Sequence, residues 1–589
     1  MMRWLPDWLR HYRPAWFAGD LTAGVIVTVM LIPQSLAYAL LAGLPPEVGL
    51  YASILPIIAY ALLGSSMTLA VGPVAVASLM TASALQPLAA AGSTEYVALA
   101  MQLSLLSGVM LLAFGALRLG FLAYFLSHPV ISGFITGSAV LIAVGQLKHI
   151  LGVKVAGSDV LQVLHGLATA LPQTQPVTLA IGLASLLFLW AARRYMARAL
   201  EYIGLGARTA DLLAKLAPMV AVIASTAVVG LLRLDQSVGV SVVGAVPQGL
   251  PQPSLPMPSM GTLGQLWLPA LLISLVGFVE SVSVAQSLAL KRQQRITPNR
   301  ELLGLGAANV ASALSGGYPV TGGFARSVVN FAAGAQTPLA GVISAVLMAV
   351  VIAALTGWFF YLPHAVLAAT IIVAVTSLID LDTLRHAWHY DRADALSLLA
   401  TAGGVVLLGV EAGILLGVML SLGTIVWRNT HPHIAVVGRL PGTQHFRNVE
   451  RYAVQTVPGL LAVRVDESLF FANATVVEDR IEALLARDAS VRRVVLICSA
   501  INQIDATALG VLTQMERNLA ARGIEFTLAE VKGPVMDRLR GTELGQRLQG
   551  KVCMSTHEAF EQAAGAALNA APSPAAPAPA GPRPTTAGP

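Results

Sequence analysis

The sequence predicts an α-helical polytopic membrane protein with 14 transmembrane segments, followed by a small α/β domain. The first observation is composition. Of the 589 residues, 56% are hydrophobic and 11% are charged, against about 45–50% and about 25% in average soluble proteins. The second is charge distribution: residues 439–561 hold 15 basic and 15 acidic side chains. A long apolar region therefore precedes a domain of soluble composition. This excludes an ordinary soluble enzyme, and two cysteines are too few for a secreted disulfide scaffold.

Fourteen apolar segments can be assigned as spans, since a membrane-crossing helix needs about 20 apolar residues. The third and the tenth are short, and each follows a glycine-containing break, at 71–73 and 321–323. Residues 1–20 are predicted as a cytoplasmic or interfacial segment, and 21–430 as the membrane domain. The predicted spans are 22–41, 47–63, 73–90, 97–117, 122–147, 175–195, 212–232, 265–290, 301–315, 324–335, 338–358, 364–379, 393–409 and 412–427.

Basic residues predict the orientation of these spans. The loops 193–215 and 291–300 are rich in Lys and Arg, whereas the Pro-rich segment 247–258 has none. Because cytoplasmic loops carry the excess of Lys and Arg, the N-terminus is expected in the cytoplasm. An even number of spans returns the C-terminus to the same side.

The two halves of the apolar region form an internal repeat. The sequence QSLA at 34–37 recurs at 286–289, and the break at 72–73 aligns with 322–323. Seven spans in each half is an odd number, so the second half begins on the opposite side of the membrane. The repeats, about 21–232 and 265–427, therefore predict the inverted architecture found in secondary transporters.

The two short spans predict a site for an anion. An interrupted helix is tolerated in lipid where its free backbone groups face protein or a water-filled cavity, and helix N-termini attract anions. Arg326 adds a cation beside the second break, with a structural ion-pair role as the alternative. Glu280, inside the eighth span, is predicted either to load and release a proton or to pair permanently with Arg326 or a backbone donor. Ser281, Ser283 and Gln286 could orient it or share a hydrogen-bond network.

The C-terminal region and the absent motifs complete the prediction. Residues 438–566 alternate β-rich and helical stretches, which predicts a sheet with covering helices. The Pro- and Ala-rich residues 567–589 are predicted to be disordered. No Walker loop, GxSxG elbow or HExxH motif occurs in the sequence. We therefore expect no enzyme activity, no metal or cofactor and no nucleic-acid partner.

Several sequence segments resemble the SulP/SLC26 family of anion transporters, of sulfate permease type. They are GDLTAG at 19–24, IPQSLAYALLAGLPPEVGLYAS at 32–53, the break at 71–73 and residues 321–341. The C-terminal region resembles a STAS domain. In its segment INQIDATAL, Ala506 stands where the related anti-sigma-factor antagonists have a phosphorylated Ser, so that switch is not expected. Thr507 is expected to cap the helix that follows.

The resemblance implies a seven-plus-seven inverted repeat with core and gate domains and elevator-type movement of the core. It places the anion between spans three and ten. Ala325 replaces a Ser found in many relatives, and Glu280 falls at the acidic position that the family links to proton coupling. The implied binding residues are Gln34, Tyr38, Val74, Ala75, Val76, Phe324, Ala325, Arg326 and Ser327.

The function implied by the resemblance is secondary active transport of an anion, with sulfate first and bicarbonate or a C4-dicarboxylate as alternatives. Proton-coupled symport is expected, and sodium is less favoured because the sodium-coupled branch carries Asp in the Glu280 region. An uncoupled channel, an exchanger, or a membrane-anchored STAS regulatory or scaffold protein remains open. We expect a homodimer in the lipid of the cell inner membrane, without a cofactor. The STAS domain could bind a cytoplasmic protein partner.

Overall fold

Apolar helices dominate the first of the two units into which the chain divides, between Ser421 and Leu422. The computed structural model describes residues 6–124, 127–155, 160–376 and 378–570. The helices that begin in the first unit are α1 (Asp7–Arg10), α2 (Phe17–Leu41), α3 (Pro46–Tyr51), α4 (Leu55–Leu63), α5 (Ala75–Leu85), α6 (Thr94–Ala116), α7 (His128–Leu151), α8 (Val160–Ala170), α9 (Pro176–Ala191), α10 (Ala197–Tyr202), α11 (Ala207–Ala214), α12 (Ala217–Leu232), α13 (Leu234–Ser237), α14 (Met260–Leu290), α15 (Pro298–Leu314), α16 (Phe324–Ala333), α17 (Leu339–Ala354), α18 (His364–Thr376), α19 (Leu381–Tyr390), α20 (Arg392–Leu408) and α21 (Val410–Thr430).

Each predicted span contains helix, although several boundaries differ. Among the described residues, eight helical stretches are long and apolar enough to cross a membrane, and α5, α12 and α17 are shorter apolar helices. The predicted second span is divided into α3 and α4, where Pro56 lacks the backbone N–H of a continuous helix. The first span begins at Phe17 rather than at residue 22. The helices α5 and α16, with 11 and 10 residues, confirm that the third and tenth segments are short.

The helices pack as two bundles. A core bundle contains α2–α6 and α14–α17, and a gate bundle contains α7, α9, α12, α18, α20 and α21. Glycine lets the core helices α6 and α15 approach closely. A Cβ atom at Gly108 would lie 2.7 Å from the backbone nitrogen of Val310, and one at Gly306 would lie 2.8 Å from that of Leu112. Small residues at helix contacts are the usual solution for helices that pack within a membrane.

Two short strands join the halves of the core bundle. The strands β1 (Val71–Gly72) and β2 (Thr321–Gly322) pair antiparallel, with Val71 opposite Gly322 and Gly72 opposite Thr321. Each strand comes from the glycine-containing break of one repeat, and each leads into a short helix, β1 into α5 and β2 into α16. The antiparallel pairing is the arrangement expected where equivalent segments of two inverted repeats meet.

The second unit is an α/β domain built on a six-stranded sheet of order β4-β3-β5-β6-β7-β8. Strand β3 is antiparallel to β4 and β5, whereas β5 to β8 are mutually parallel. Its elements after α21 are β3 (Ile434–Arg439), β4 (Phe446–Asn448), β5 (Leu460–Val465), α22 (Ala474–Arg487), β6 (Arg493–Ile497), α23 (Ala506–Ala521), β7 (Glu525–Ala529), α24 (Gly533–Leu539), α25 (Glu543–Arg547), β8 (Val552–Cys553) and α26 (Thr556–Ala570).

This domain departs from the sequence prediction at two places, the cap of α23 and the start of the C-terminal tail. The N-cap of α23 is Asp505, whose side chain accepts a hydrogen bond from the backbone N–H of Ala508 at 2.8 Å. The prediction that Thr507 caps this helix is therefore wrong, because the carboxylate two residues earlier already holds the free N–H. Helix α26 reaches Ala570, four residues into the predicted tail, and 571–589 lie outside the described residues. Burial raises the pKa of the Cys498 thiol to about 12.

Candidate functional site

The candidate site is formed where the two short helices begin. The residues that precede α5 and α16, Val74 and Gly323, have extended backbones, and neither residue supplies a side-chain cap to its helix. The first N–H groups of a helix have no partner within the helix, and their dipoles give each N-terminus a partial positive charge. The pairing of β1 with β2 brings these two termini, one from each repeat, to a single place.

A cavity of about 590 Å³ lies at these helix termini. Of the residues predicted for the site, all except Ser327 line it. Phe324 is half exposed, whereas Tyr38 is buried. Three further residues, Ala374, Val375 and Leu378, come from α18 and the turn after it, so the cavity lies between the core and gate bundles. The complete lining is Gln34, Tyr38, Pro73, Val74, Ala75, Val76, Glu280, Gly323, Phe324, Ala325, Arg326, Ala374, Val375 and Leu378.

Arg326 connects the two repeats as well as lining the cavity. Its side chain is 2% exposed, and its two terminal nitrogens donate to the carbonyl oxygens of Pro73 and Ala70 at 3.3 and 3.4 Å. Two glycines lie against the guanidinium, where a side chain would crowd it. A Cβ atom at Gly72 or at Gly323 would lie 3.2 Å from Nη2 of Arg326. The side chain of Arg326, from the second repeat, thus hydrogen-bonds to the backbone of the first repeat.

Ser327 has a different position from that expected. It is fully buried and does not line the cavity. Its hydroxyl accepts a hydrogen bond from the backbone N–H of Ala70 at 2.9 Å and donates to the carbonyl of Gly323 at 2.7 Å. The hydroxyl therefore secures the chain just before β1.

Glu280 faces the cavity without a cationic partner. Its side chain is partly buried on α14, and its Oε2 atom has no hydrogen-bond partner among the described protein groups. Within the described chain it forms no ion pair with Arg326, so the permanent pairing considered as an alternative is not present. Ser281 does not orient it. That hydroxyl accepts from the N–H of Gly322 at 2.9 Å and donates to the carbonyl of Gly277 at 2.6 Å.

Two buried carboxylates that the sequence analysis did not select hold loops next to the short helices. Asp20 accepts hydrogen bonds from the backbone N–H groups of residues 336–337, just after α16, at 2.6 and 3.0 Å. Glu301 accepts from those of residues 65–66, just before β1, at 2.7 and 3.0 Å, and from the hydroxyl of Tyr60 at 2.7 Å. Each carboxylate holds a loop of the opposite repeat. In the sequence, the feature that could have identified both residues is a carboxylate at the start of an apolar helix.

A helical protein in which two half-helices from inverted repeats converge on one cavity, between two bundles, has the architecture of a secondary transporter. The family model described as the sulfate permease family matches residues 17–401, and that of the STAS domain matches residues 451–559. The chain therefore belongs to the sulfate permease family, also called SulP/SLC26, and carries a C-terminal STAS domain.

Curated relatives agree over nearly the whole chain. A probable sulfate transporter of Mycobacterium tuberculosis is 36% identical over 537 residues, which is 91% of this chain and 93% of the relative. The chloroplastic sulfate transporter 4.1 of Arabidopsis thaliana is 35% identical over 535 residues, which is 89% of this chain and 76% of the relative. Since the family and these relatives are transporters, the chain is a multi-pass membrane transporter and not an enzyme.

Solved structures share the fold. The murine Solute Carrier 26 family member A9 anion transporter, in an inward-facing state, has a TM-score of 0.87 at 22% identity and covers 95% of this chain and 94% of its own. The transmembrane domain of a cyanobacterial bicarbonate transporter, BicA, has a TM-score of 0.58 at 24% identity, and covers 70% of this chain and 98% of its own. The helical unit and the α/β domain thus occur together in a known architecture.

Proposed function

We propose that this protein carries an anion across a cell membrane, with sulfate as the first candidate substrate. The observation that carries the proposal is the convergence of two half-helix N-termini and Arg326 on one cavity. The names of the relatives, which are sulfate transporters of a bacterium and a plant, support sulfate ahead of bicarbonate or a C4-dicarboxylate.

Backbone groups account for most of the proposed anion binding. Each helix N-terminus contributes roughly half an elementary charge through its unpaired N–H groups, and Arg326 adds a full charge. Ala325 offers no hydroxyl, so neighbouring backbone N–H groups supply the hydrogen bonds on that side. The partly exposed Gln34 and the buried Tyr38, both on α2, supply neutral polar groups on the opposite wall.

Glu280 is the proposed proton carrier. A carboxylate that faces the same cavity as an anion repels it, whereas the protonated carboxyl group does not. Proton uptake and anion binding therefore favour each other, and this coupling is reciprocal. Such a coupling drives both species in the same direction, which is symport. The free Oε2 atom of Glu280 and its lack of a cationic partner in the described chain support this role.

The position of the cavity supports an elevator mechanism. The anion contacts come from the core bundle, and the remaining side is closed by Ala374, Val375 and Leu378 of the gate bundle. In the proposed cycle the core bundle moves past this apolar face of α18 and carries the anion with it. We also propose a homodimer in the inner membrane, with both termini in the cytoplasm and a STAS domain that binds a cytoplasmic partner.

Transport into liposomes tests the proposal. Purified protein is reconstituted, and uptake of labelled sulfate is followed with an inward proton gradient, in choline buffer without sodium. Unlabelled bicarbonate or a C4-dicarboxylate is added as competitor. We expect sulfate to accumulate above its external concentration and to be displaced best by sulfate. Equilibration without accumulation would indicate a channel, and a requirement for sodium would remove the proton from the mechanism.

The substitution Glu280→Gln tests the proton carrier. It keeps the size of the side chain and removes its titration, so we expect loss of proton-driven accumulation while exchange of sulfate for sulfate continues. Ser283→Ala is the matched control, because Ser283 lies on the same helix, is exposed, and donates to the carbonyl of Val279 at 2.8 Å. Accumulation by Glu280→Gln protein at the wild-type level would contradict the assignment.

A further inference from the structure

A second cavity lies behind Arg326, inside the core bundle. It is bounded by α2, α4, α16, α17 and the chain that leads into β1, and its free space is about 20 Å³. Arg326 lines this cavity as well as the candidate anion cavity. The guanidinium therefore separates two spaces, of which the second has no role in the function proposed above.

Two buried polar atoms of residues that line this cavity have no hydrogen-bond partner among the described protein groups. They are Nε of Arg326 and Oδ1 of Asn330, in side chains that are 2% and 4% exposed. The Nδ2 atom of Asn330 donates to the carbonyl of Thr68 at 3.0 Å. That bond fixes the orientation of the amide and leaves Oδ1 as the free acceptor. An unsatisfied buried polar group is destabilising, so a donor and an acceptor that are both open favour a bound molecule that can pair with each.

The chemistry of the two atoms identifies which molecule can bind between them. Residues 326 and 330 are four apart on α16 and share one face of the helix. A guest between them must accept from Nε–H and donate to Oδ1. A fully ionised anion such as sulfate cannot donate, and the amide oxygen repels any anion. A cation is repelled by the guanidinium. A small neutral molecule with both capacities remains, and the open space suits about one water molecule.

We propose that a buried water molecule bridges Nε of Arg326 and Oδ1 of Asn330, and that Asn330 is a positioning residue for Arg326. The guanidinium is then held on three sides, by the carbonyls of Ala70 and Pro73 and by the water. Of its five N–H donors, two remain for an anion in the first cavity. A group fixed in this way loses little entropy on binding. This consequence for binding rests on the proposed function, whereas the water site does not.

A pair of substitutions isolates the acceptor. Asn330→Ala and Asn330→Ser both lose the bond to Thr68, and Ser alone keeps an oxygen that accepts from the water. We expect Asn330→Ala to raise the KM for sulfate by roughly tenfold with little change in kcat, since the guanidinium loses one of its three fixed contacts and must be ordered when the anion binds. Asn330→Ser should recover most of that loss. Equal KM values for the two variants at equal thermal stability would overturn the positioning role.

Ser344→Ala is the control within the same cavity. Ser344 lines it, but its hydroxyl is already satisfied by the carbonyls of Gly24 and Ala340 at 2.8 and 3.1 Å. Its KM is therefore expected to match the wild type. A tenfold increase would show that any change in the cavity disturbs Arg326, and would overturn the specific assignment to Asn330.

An experimental structure that resolves ordered water tests the site directly. We expect density about 2.7–3.2 Å from both Nε of Arg326 and Oδ1 of Asn330 in wild-type protein, and loss of that density in Asn330→Ala. An empty cavity, or Nε bonded directly to a protein group, would overturn the proposal. This result does not depend on transport. If the reconstituted protein moved no anion, the proposed function would fail while the density still decided the water site.

Discussion

The two half-helices that meet at the cavity contribute unequally to it. Around the start of α5, residues 74–76 are all apolar, so this half supplies a backbone terminus. Helix α16 carries Arg326, Ser327 and Asn330, and all three also bond the chain around β1. Inverted repetition therefore duplicates the backbone geometry that an anion needs. The side-chain chemistry has been placed in one copy, which also uses it to hold the other.

Removal of the charge from the second half should have the largest effect. Arg326→Ala is expected to lower kcat/KM for sulfate by roughly 10- to 100-fold, because hydrogen bonds from a charged group are worth about 1.5–3 kcal/mol. It also removes the donor to the carbonyl of Pro73 and one of the two donors to the carbonyl of Ala70, which keeps the N–H of Gly323, so the melting temperature in detergent should fall as well. Uptake per folded molecule, measured in liposomes, separates the two effects.

Arg326→Lys is the matched variant. It keeps the charge but lacks the planar fork that reaches two carbonyls, so its uptake should lie between that of Ala and that of the wild type. If Arg326→Ala showed wild-type uptake per folded molecule, Arg326 would have a structural role only. The two halves would then not differ in their side-chain contribution to anion binding.

The buried hydroxyls on either side of the strand pair should show a symmetric effect. Ser327 accepts from the N–H of Ala70, and Ser281 accepts from that of Gly322, each at 2.9 Å. Replacement of either by Ala leaves a buried N–H unpaired, at about 1–3 kcal/mol. We expect similar drops in thermal stability with sulfate KM nearly unchanged. A large KM increase in Ser327→Ala alone would restore its predicted contact with the anion.

The glycines beside the guanidinium should show a smaller difference. A Cβ atom at Gly72 or Gly323 lies equally close to Arg326, at 3.2 Å, but Gly72 has a φ of +151° and Gly323 has −88°. Gly72→Ala therefore adds backbone strain of about 1–3 kcal/mol to the crowding that both variants share. Thermal unfolding in detergent should rank Gly72→Ala as less stable. Equal stability would mean that crowding against Arg326 is the whole effect.

The smallest effect is expected where a hydroxyl is added at aligned positions of the two halves. Ala325 is exposed to the cavity, so Ala325→Ser gains one hydrogen bond to the anion. At about 0.5–1.5 kcal/mol, this lowers the sulfate KM by roughly two- to tenfold. Ala75 is 5% exposed, so Ala75→Ser should leave KM unchanged or raise it. A lower KM in Ala75→Ser would show that α5 can also supply side-chain contacts.

The elements that the sequence predicted are those with a strong local cause. The glycine breaks, the shortness of α5 and α16, and the charged residues at 280 and 326 each interrupt an apolar pattern, and all of them meet at the cavity. Other elements depend on tertiary contacts. Nothing local distinguishes Ala374 and Val375 from other apolar residues of a span. Likewise, the free Oδ1 atom of Asn330 became visible only once the partner of its Nδ2 atom was known.

The four residues of β1 and β2 link the two sides of the candidate binding site into one rigid unit. Their backbone pairing joins the two half-helices, so in the elevator cycle proposed above the displacement of the core bundle would carry both helix termini and Arg326 together. An anion site that moves as one unit would present the same contacts to the anion on both sides of the membrane. The direction of net flux is then set by the gradients across the bilayer, and one protein can fill or empty a vesicle according to which gradient is applied.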